Sequence, residues 1–573
     1  MVREIVEIIK PLKNKIHYIA LILILLLIEA YCDLSLPSYT ADIVNIGIQH
    51  TNLGVIYDIG FKMMLMVTIS VISTLLLSLT SSRFASTYAM QLRELIFKKV
   101  LKFSNHELNK FSRASLITRS TNDVNQIQNI LGMIFRTLLF APIIGIGSII
   151  KAWQMGTNLS WIIIVTFIGI AILFSIIIVK VVPMFKKMQK TIDKINQTAR
   201  EIITGIPVIK AFVRKDHEQK RFDKTNKEFR GINLYVFRRF LILMPAMTLI
   251  LNLMTVAILY FGAYQSISGG LLTGDIIAFI QYATQIVSSF IMIGAFVMML
   301  PRVLVSARRV EEVLKIRPTI KSGNITQLSD NLELEFKNVT FSYPKSEKET
   351  LKNLNFKLSP NKTTAIIGAT GSGKSTILNL IIRLQDVSKG EILINGENIK
   401  NINLKTLRKK ISFIPQKAML FSGDIKSNIQ VGKANATDSE IKKALSLSEV
   451  DFIDDLSKEV LQGGDNFSGG QKQRLAIARA LVDNHDFYLF DDCFSALDMK
   501  TEAKIKSSLN KIKENSSILI VSQRISTIKD ADEIIVLDKG EIIDKGTHFE
   551  LIDKCRIYRE IVESQEGLDE VIS

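Results

Sequence analysis

The run Gly368-Ala-Thr-Gly-Ser-Gly-Lys-Ser375 places three glycines, a lysine and a hydroxyl at a spacing that can close on phosphate. Backbone N–H groups at Gly368, Gly371 and Gly373 can surround phosphate oxygens, and the helix that follows adds its positive N-terminal end. Lys374 can reach the outer phosphates and Ser375 can ligate Mg²⁺. Thr370, Ser372 and Thr376 complete the candidate nucleotide contacts on this stretch. The setting agrees: Thr364–Ile367 reads as a buried strand before the loop, and an apolar helix starts at Thr376. A second strand, Phe487–Phe490, ends in Asp491-Asp492, where a strand-end carboxylate, Asp491, can hold a Mg²⁺ shell. Alone that pair would be a weak signal, but downstream of a phosphate loop it becomes a strong one.

These residues need a scaffold, and the chain changes character to supply it. After Arg317-Pro318 short β-type runs alternate with charged helical stretches, so an α/β domain is expected over 320–573. Residues 1–319 are different. The whole chain has 573 residues, 47% of them hydrophobic, and a mean hydropathy of +0.24. That is too apolar for a soluble protein and too long for one core. With 22% charged residues, 30 Gly and 11 Pro, disordered and collagen-like classes are excluded. The net charge of +17 divides into +18 over the first 320 residues and −1 over the rest. Basic excess confined to the apolar half fits basic loops on one side of a membrane, so a lipid bilayer rather than a nucleic acid is the expected partner. Cys32, Cys493 and Cys555 support neither a disulfide framework nor a zinc cluster.

Six apolar runs can each cross a bilayer as a helix: about 16–36, 61–82, 137–155, 161–182, 241–266 and 276–300. Residues 1–15 read as an amphipathic surface helix. The stretches 37–60 and 265–275 lack Lys and Arg, whereas 83–119 and 180–239 are rich in them. The latter two are therefore expected in the cytoplasm as long helical arms, with both termini and the α/β domain on the same side of the plasma membrane. Breaks at the arm tips are expected around 111–125 and at Thr204-Gly-Ile-Pro-Val208. Glu29, a carboxylate within the first span, should face a cavity or another helix. Pro301 is read as ending the last span.

Between the phosphate loop and the Asp pair stands Phe467-Ser-Gly-Gly-Gln471, which resembles the signature motif of ATP-binding cassette transporters. The resemblance implies that Ser468, Gly469, Gly470 and Gln471 form a second phosphate-binding surface, used in a head-to-tail dimer by the ATP on a partner's phosphate loop. It also implies an adenine-stacking role for Tyr343, a Mg²⁺-touching role for Gln416, and a loop crossing to the opposite site at Ser495-Ala-Leu-Asp498. The whole chain is similar to half-size exporters with long intracellular helices, whose coupling helices would fall near 112–124 and 204–214. Cofactors implied are ATP and Mg²⁺; the implied cargo is a small amphipathic compound.

Two positions depart from the family. Asp492 stands where Glu acts as base or water-positioning group, and Gln523 stands where the switch histidine is expected. Asp withdraws its carboxylate by about 1.5 Å relative to Glu, and Gln cannot become cationic. A site built on Gln416, Asp492 and Gln523 should bind ATP and turn it over poorly, while the signature is intact. This asymmetry resembles the degenerate subunit of heterodimeric exporters. An active homodimer is the alternative, and a nucleotide-gated channel or regulatory subunit is the alternative of another class.

Overall fold

The computed structural model describes residues 16–155, 159–329, 331–344, 346 and 348–566. The amphipathic reading of 1–15 lies outside them. The chain divides into two compact units: one comprises the chain before Leu101 with Arg113–Lys315, the other Leu101–Ser112 with Ile316–Ser573.

The first unit is helical. In chain order the helices through both units' first parts are α1 (Ile16–Asp42), α2 (Leu53–Val100), α3 (Asn105–Leu108), α4 (Arg113–Ser120), α5 (Asn122–Met133), α6 (Phe140–Met155), α7 (Ser160–Thr204), α8 (Ile206–Ala211), α9 (Lys215–Ile267) and α10 (Thr273–Lys315). Six of the resulting helical segments are long and apolar enough to cross a membrane, and each contains one of the runs expected from the sequence. Their outward faces stay apolar, as Leu21, Ile24, Leu75 and Leu79 show, because lipid solvates them as well as a core would. Inward faces carry the packing, with Phe279, Tyr282, Ala283, Ile286 and Val287 of α10 buried at helical spacing.

Two expectations need correction. The helix of the last span does not stop at Pro301: α10 runs to Lys315. Val303, Ala307, Val310 and Val313 keep a buried stripe every three to four residues, and that packing outweighs the one hydrogen bond a proline removes. The first arm tip also lies earlier than the polar cluster at 111–125 suggested. The chain leaves α2 at Val100, and α3, within Leu101–Ser112, belongs to the second unit. Ser104 caps α3 and Glu107 reaches back to the Ser104 N–H at 2.7 Å, a reciprocal box written in the sequence as Ser-x-x-Glu. The second tip falls where expected: α8 follows Gly205, with Pro207 in its first turn.

Glu29 faces another helix. Its Oε1 accepts from Thr74 Oγ1 of α2 at 2.8 Å, and one turn along α1 Asp33 accepts from Ser70 at 2.8 Å.

The second unit is α/β. A six-stranded sheet has the order β12-β11-β3-β10-β9-β6, built from β3 (Thr363–Ile367), β6 (Ile411–Ile414), β9 (Phe487–Asp491), β10 (Ser517–Val521), β11 (Glu533–Asp538) and β12 (Glu541–Gly546). A four-stranded antiparallel sheet β2-β1-β4-β5 lies beside it, from β1 (Leu334–Phe341), β2 (Leu351–Leu358), β4 (Lys389–Ile394) and β5 (Glu397–Asn398), and β7 (Gly423–Asp424) pairs with β8 (Glu459–Val460) in a short antiparallel ribbon. Strands β3, β9 and β10 are continuous apolar runs buried almost throughout, as parallel strands covered on both faces must be.

Candidate functional site

β6, β9, β10 and β3 are neighbours and parallel, so their C-terminal ends share one edge of the sheet, where ligands of open α/β sheets bind. Each delivers one candidate group within a few residues of its end. β3 runs into Gly368–Ser375, β9 ends in Asp491-Asp492, β6 leads to Gln416 and β10 to Gln523. The sequence spreads these groups over 156 positions; the topology collects them.

The phosphate loop is shaped by its glycines. Gly371 has φ +85° and Gly373 has φ +107°, a region costly to any side chain. A Cβ on Gly368 would lie 2.0 Å from the Leu537 carbonyl oxygen. Thr370, Gly371 and Ser375 are exposed, whereas Ser372, Lys374 and Thr376 are buried. Lys374 Nζ donates to the carbonyls of Gly368 (2.7 Å) and Ala369 (2.9 Å). Burial pulls its pKa below the ordinary lysine value, and the Asp492 and Asp491 charges pull the other way. A buried ammonium with exposed backbone around it suits a polyanion.

Ser375 Oγ donates to Asp491 Oδ1 at 2.9 Å. Burial raises the Asp491 pKa, the Ser375 bond opposes that, the Asp492 charge adds to it, and Lys374 opposes it. A hydroxyl beside a carboxylate is the partial oxygen set that Mg²⁺ takes when phosphates and waters complete its shell. No group of three His, Cys, Asp or Glu side chains suited to a metal occurs among the described residues, so the residues fit a nucleotide-borne cation rather than a closed metal cage.

The two departures are tied into this edge. Asp492 has φ +46°; its N–H donates to the Val521 carbonyl at 2.8 Å, and its Oδ2 accepts from Gln416 Nε2 at 3.1 Å. Gln523 Oε1 accepts from Thr370 Oγ1 at 3.4 Å. Tyr343 joins through its hydroxyl, 3.0 Å from Thr376 Oγ1, and its ring packs edge-on against Phe341.

The other predicted residues form a second set. Ser468 caps the helix Gly469–Leu481, with Gln471 reciprocating from the third position. Gly469 faces open space, and a Cβ on Gly470 would sit 3.0 Å from the Ala496 carbonyl oxygen. Asp498 caps the helix Met499–Lys513 through the Thr501 N–H at 2.9 Å. No hydrogen bond among the described residues joins Ser468, Gly469, Gly470 or Asp498 to the phosphate loop.

Sequence reasoning missed the supporting residues. Gln565 donates to the Gln523 carbonyl at 2.7 Å and accepts from the Ile525 N–H at 2.9 Å, clamping the loop after β10 from the C-terminal helix. Gln473 donates to the Pro415 carbonyl at 3.3 Å, linking the signature helix to Gln416. Nothing local in the sequence announces either, because each is a long-range amide contact. Glu107 is a third: Thr319 Oγ1 donates to its Oε1 at 2.8 Å. Burial would raise its pKa, but the bonds from Ser104 and Thr319 prevail and hold it below the ordinary glutamate value.

Comparison with known proteins agrees with this architecture. Residues 19–290 match the family model for the ABC transporter transmembrane region, and residues 351–495 match the ABC transporter model. An uncharacterized ABC transporter ATP-binding protein of Mycobacterium tuberculosis is 35% identical over 561 residues, 96% of either chain. A putative export ATP-binding/permease protein of Rickettsia conorii is 29% identical over 558 residues, covering 95% of this chain and 96% of that protein. Among solved structures, a bacterial Atm1-family ABC exporter with ATP bound superposes with a TM-score of 0.81 at 24% identity, over 96% of this chain and 98% of that one. The chain belongs to the ABC transporter family. A transmembrane region and an ATP-binding domain in one chain make it an ATPase-coupled transporter, and its fold is that of an Atm1-family exporter.

Proposed function

We propose that the chain is one half of an ATP-driven exporter in the plasma membrane, paired with a non-identical half-transporter and moving small amphipathic compounds outward. Residues 1–319 serve as the membrane domain and 320–573 as the cassette, with termini and cassette in the cytoplasm. The observation that carries the heterodimer reading is the sheet edge itself: an intact phosphate loop and Asp491 stand beside Asp492 and Gln523, while Ser468 to Gln471 form a complete capped helix end.

On this reading Gly368, Thr370, Gly371, Ser372, Gly373, Lys374, Ser375 and Thr376 hold the phosphates and Tyr343 the base. Mg²⁺, held by Ser375, Asp491 and Gln416, supplies charge neutralisation at the phosphates when bound. Asp492 lacks the reach to orient an attacking water, and its carboxylate is bonded to Gln416 instead. Turnover here falls on the order of 10²- to 10⁴-fold below a site with a positioned base. Ser468, Gly469, Gly470, Gln471 and Asp498 serve the partner's nucleotide, where hydrolysis proceeds. The exposed Ile206, Val208, Phe212 and Val213 around α8 form an apolar tip that a partner cassette can cover.

The test is co-expression of this chain with a second half-transporter and assay of inside-out vesicles. ATP-dependent accumulation of a fluorescent amphiphile is expected. Nucleotide-gated conductance with no accumulation would overturn the exporter reading in favour of a channel.

A further inference from the structure

The first unit contains a cavity of about 430 Å³ that none of the nucleotide chemistry uses. Much of its wall is polar. Ser78 and Ser82 come from α2, Asn129 from α5, Arg136 and Thr137 from the segment Ile134–Leu139, and Met292 from α10. Ser78 and Ser82 are one helical turn apart, so both hydroxyls fall on one face.

Arg136 is the singular member. It sits in a π-helical turn, Ile134–Leu139, between α5 and α6, the kind of irregularity that recurs at functional positions because it re-aims side chains. Its guanidinium is exposed and makes no hydrogen bond or ion pair among the described residues. Glu29 is not in the wall; its Oε1 accepts from Thr74, its Oε2 is buried without a hydrogen-bond partner, and its charge and that of Arg136 act on one another. Among the described residues, the wall therefore contains a cation, hydroxyls and two side-chain amides, Gln128 and Asn129, but no carboxylate.

We propose that this cavity binds the anionic group of an amphipathic molecule, a carboxylate or phosphate seated on Arg136, with the apolar part running past Met292. This rests on the exporter reading and names the chemical class of its cargo. Guanidinium is the side chain best matched to such anions, through paired N–H donors. The volume accepts a head group and part of a chain, not a whole large drug. A membrane lipid's phosphate and a soluble amphiphile's carboxylate share this chemistry.

The experiment uses the full chain, with any companion chain retained, in phosphatidylcholine nanodiscs without ATP. Energy transfer from the tryptophans, Trp153 and Trp161 in this chain, reports binding of dansylaminoundecanoate, its methyl ester and the matching amine, with empty discs subtracted. The acid is expected to bind about tenfold more tightly than the ester or the amine. Arg136→Gln should remove that preference, leave ester binding and nucleotide binding unchanged, and thereby show a folded protein; Arg136→Lys should keep most of it. Competition by phosphatidylglycerol in the wild type but not in Arg136→Gln would assign the anion to lipid, and no competition would assign it to a soluble amphiphile. Equal affinity for acid and ester, or an unchanged acid affinity in Arg136→Gln, would overturn the proposal. Because no turnover is involved, intact binding without ATP-driven transport would remove the exporter reading alone.

Discussion

Gln416 Nε2 donates to Asp492 Oδ2 at 3.1 Å, joining the loop after β6 to the residue that follows β9. A carboxylate one methylene shorter than glutamate is thereby satisfied within the protein. Its backbone, at φ +46°, lies in a region that Asp tolerates better than most residues.

Restoring the two family residues should switch this site on. In a pair whose partner has lost its own strand-end carboxylate, Asp492→Glu with Gln523→His is expected to raise ATPase at least tenfold above the silent background. No gain in that pair would count against the proposed defect.

Asp491 gives a prediction of opposite sign for stability. Its folded pKa is raised by burial, so the folded state binds protons more tightly than the unfolded chain between the ordinary aspartate value and the raised one. Stability contributed by this group therefore falls as pH rises through that window, and the penalty is full at neutral pH. Asp491→Asn should raise the thermal midpoint of the nucleotide-free protein at pH 7 and lose the advantage in acid, while abolishing Mg²⁺-dependent ATP binding at this loop. A midpoint that drops at pH 7 would contradict the stated cause.

Glu107 carries the opposite linkage. Its folded pKa is lowered, so its contribution is present above the ordinary glutamate value and is lost as pH falls through the lowered one. Glu107→Ala leaves the Ser104 N–H and the Thr319 hydroxyl without their acceptor, at about 1–3 kcal/mol. If α3 transmits cassette closure, transport should fall severalfold while nucleotide affinity stays unchanged. Transport at the wild-type rate would show that this docking carries no coupling.

Ser468→Arg puts a bulky cation at the capped end of Gly469–Leu481 and removes the Oγ that accepts from the Gln471 N–H at 3.3 Å. In the dimer, ATPase at the partner's site should fall on the order of 10²-fold or more, as when one aligned phosphate or oxyanion donor is lost. Vanadate-trapped nucleotide counted on each chain would locate the loss. Undiminished trapping on the partner would exclude the shared site.

The six spans and the phosphate loop were legible because both are local patterns: twenty apolar residues, or eight residues with glycines at fixed offsets. Asp491 was legible through its position at the end of an apolar strand, whereas Gln416 was reached only through the resemblance to the transporter family. What escaped was long-range or tertiary. Gln565 and Gln473 act through single amide contacts to distant backbone. The path of α10 through Pro301 depends on packing along its whole length. The first arm tip was misplaced by ten residues because a polar cluster looked more like a break than the Ser104–Glu107 box did, although that box is a sequence signal. Arg136 stands at the edge of an apolar run, where a basic residue ordinarily marks the membrane boundary, so its type and position carry no local signal of a site.

Asp492→Asn reads out whether ATP bound at this chain's phosphate loop is held without being hydrolysed. The transporter would be isolated through a tag on this chain, with its companion retained, and its steady-state ATPase measured. Activity within about twofold of wild type is expected. A loss on the order of 10²-fold or more would make Asp492 the working base and contradict that expectation.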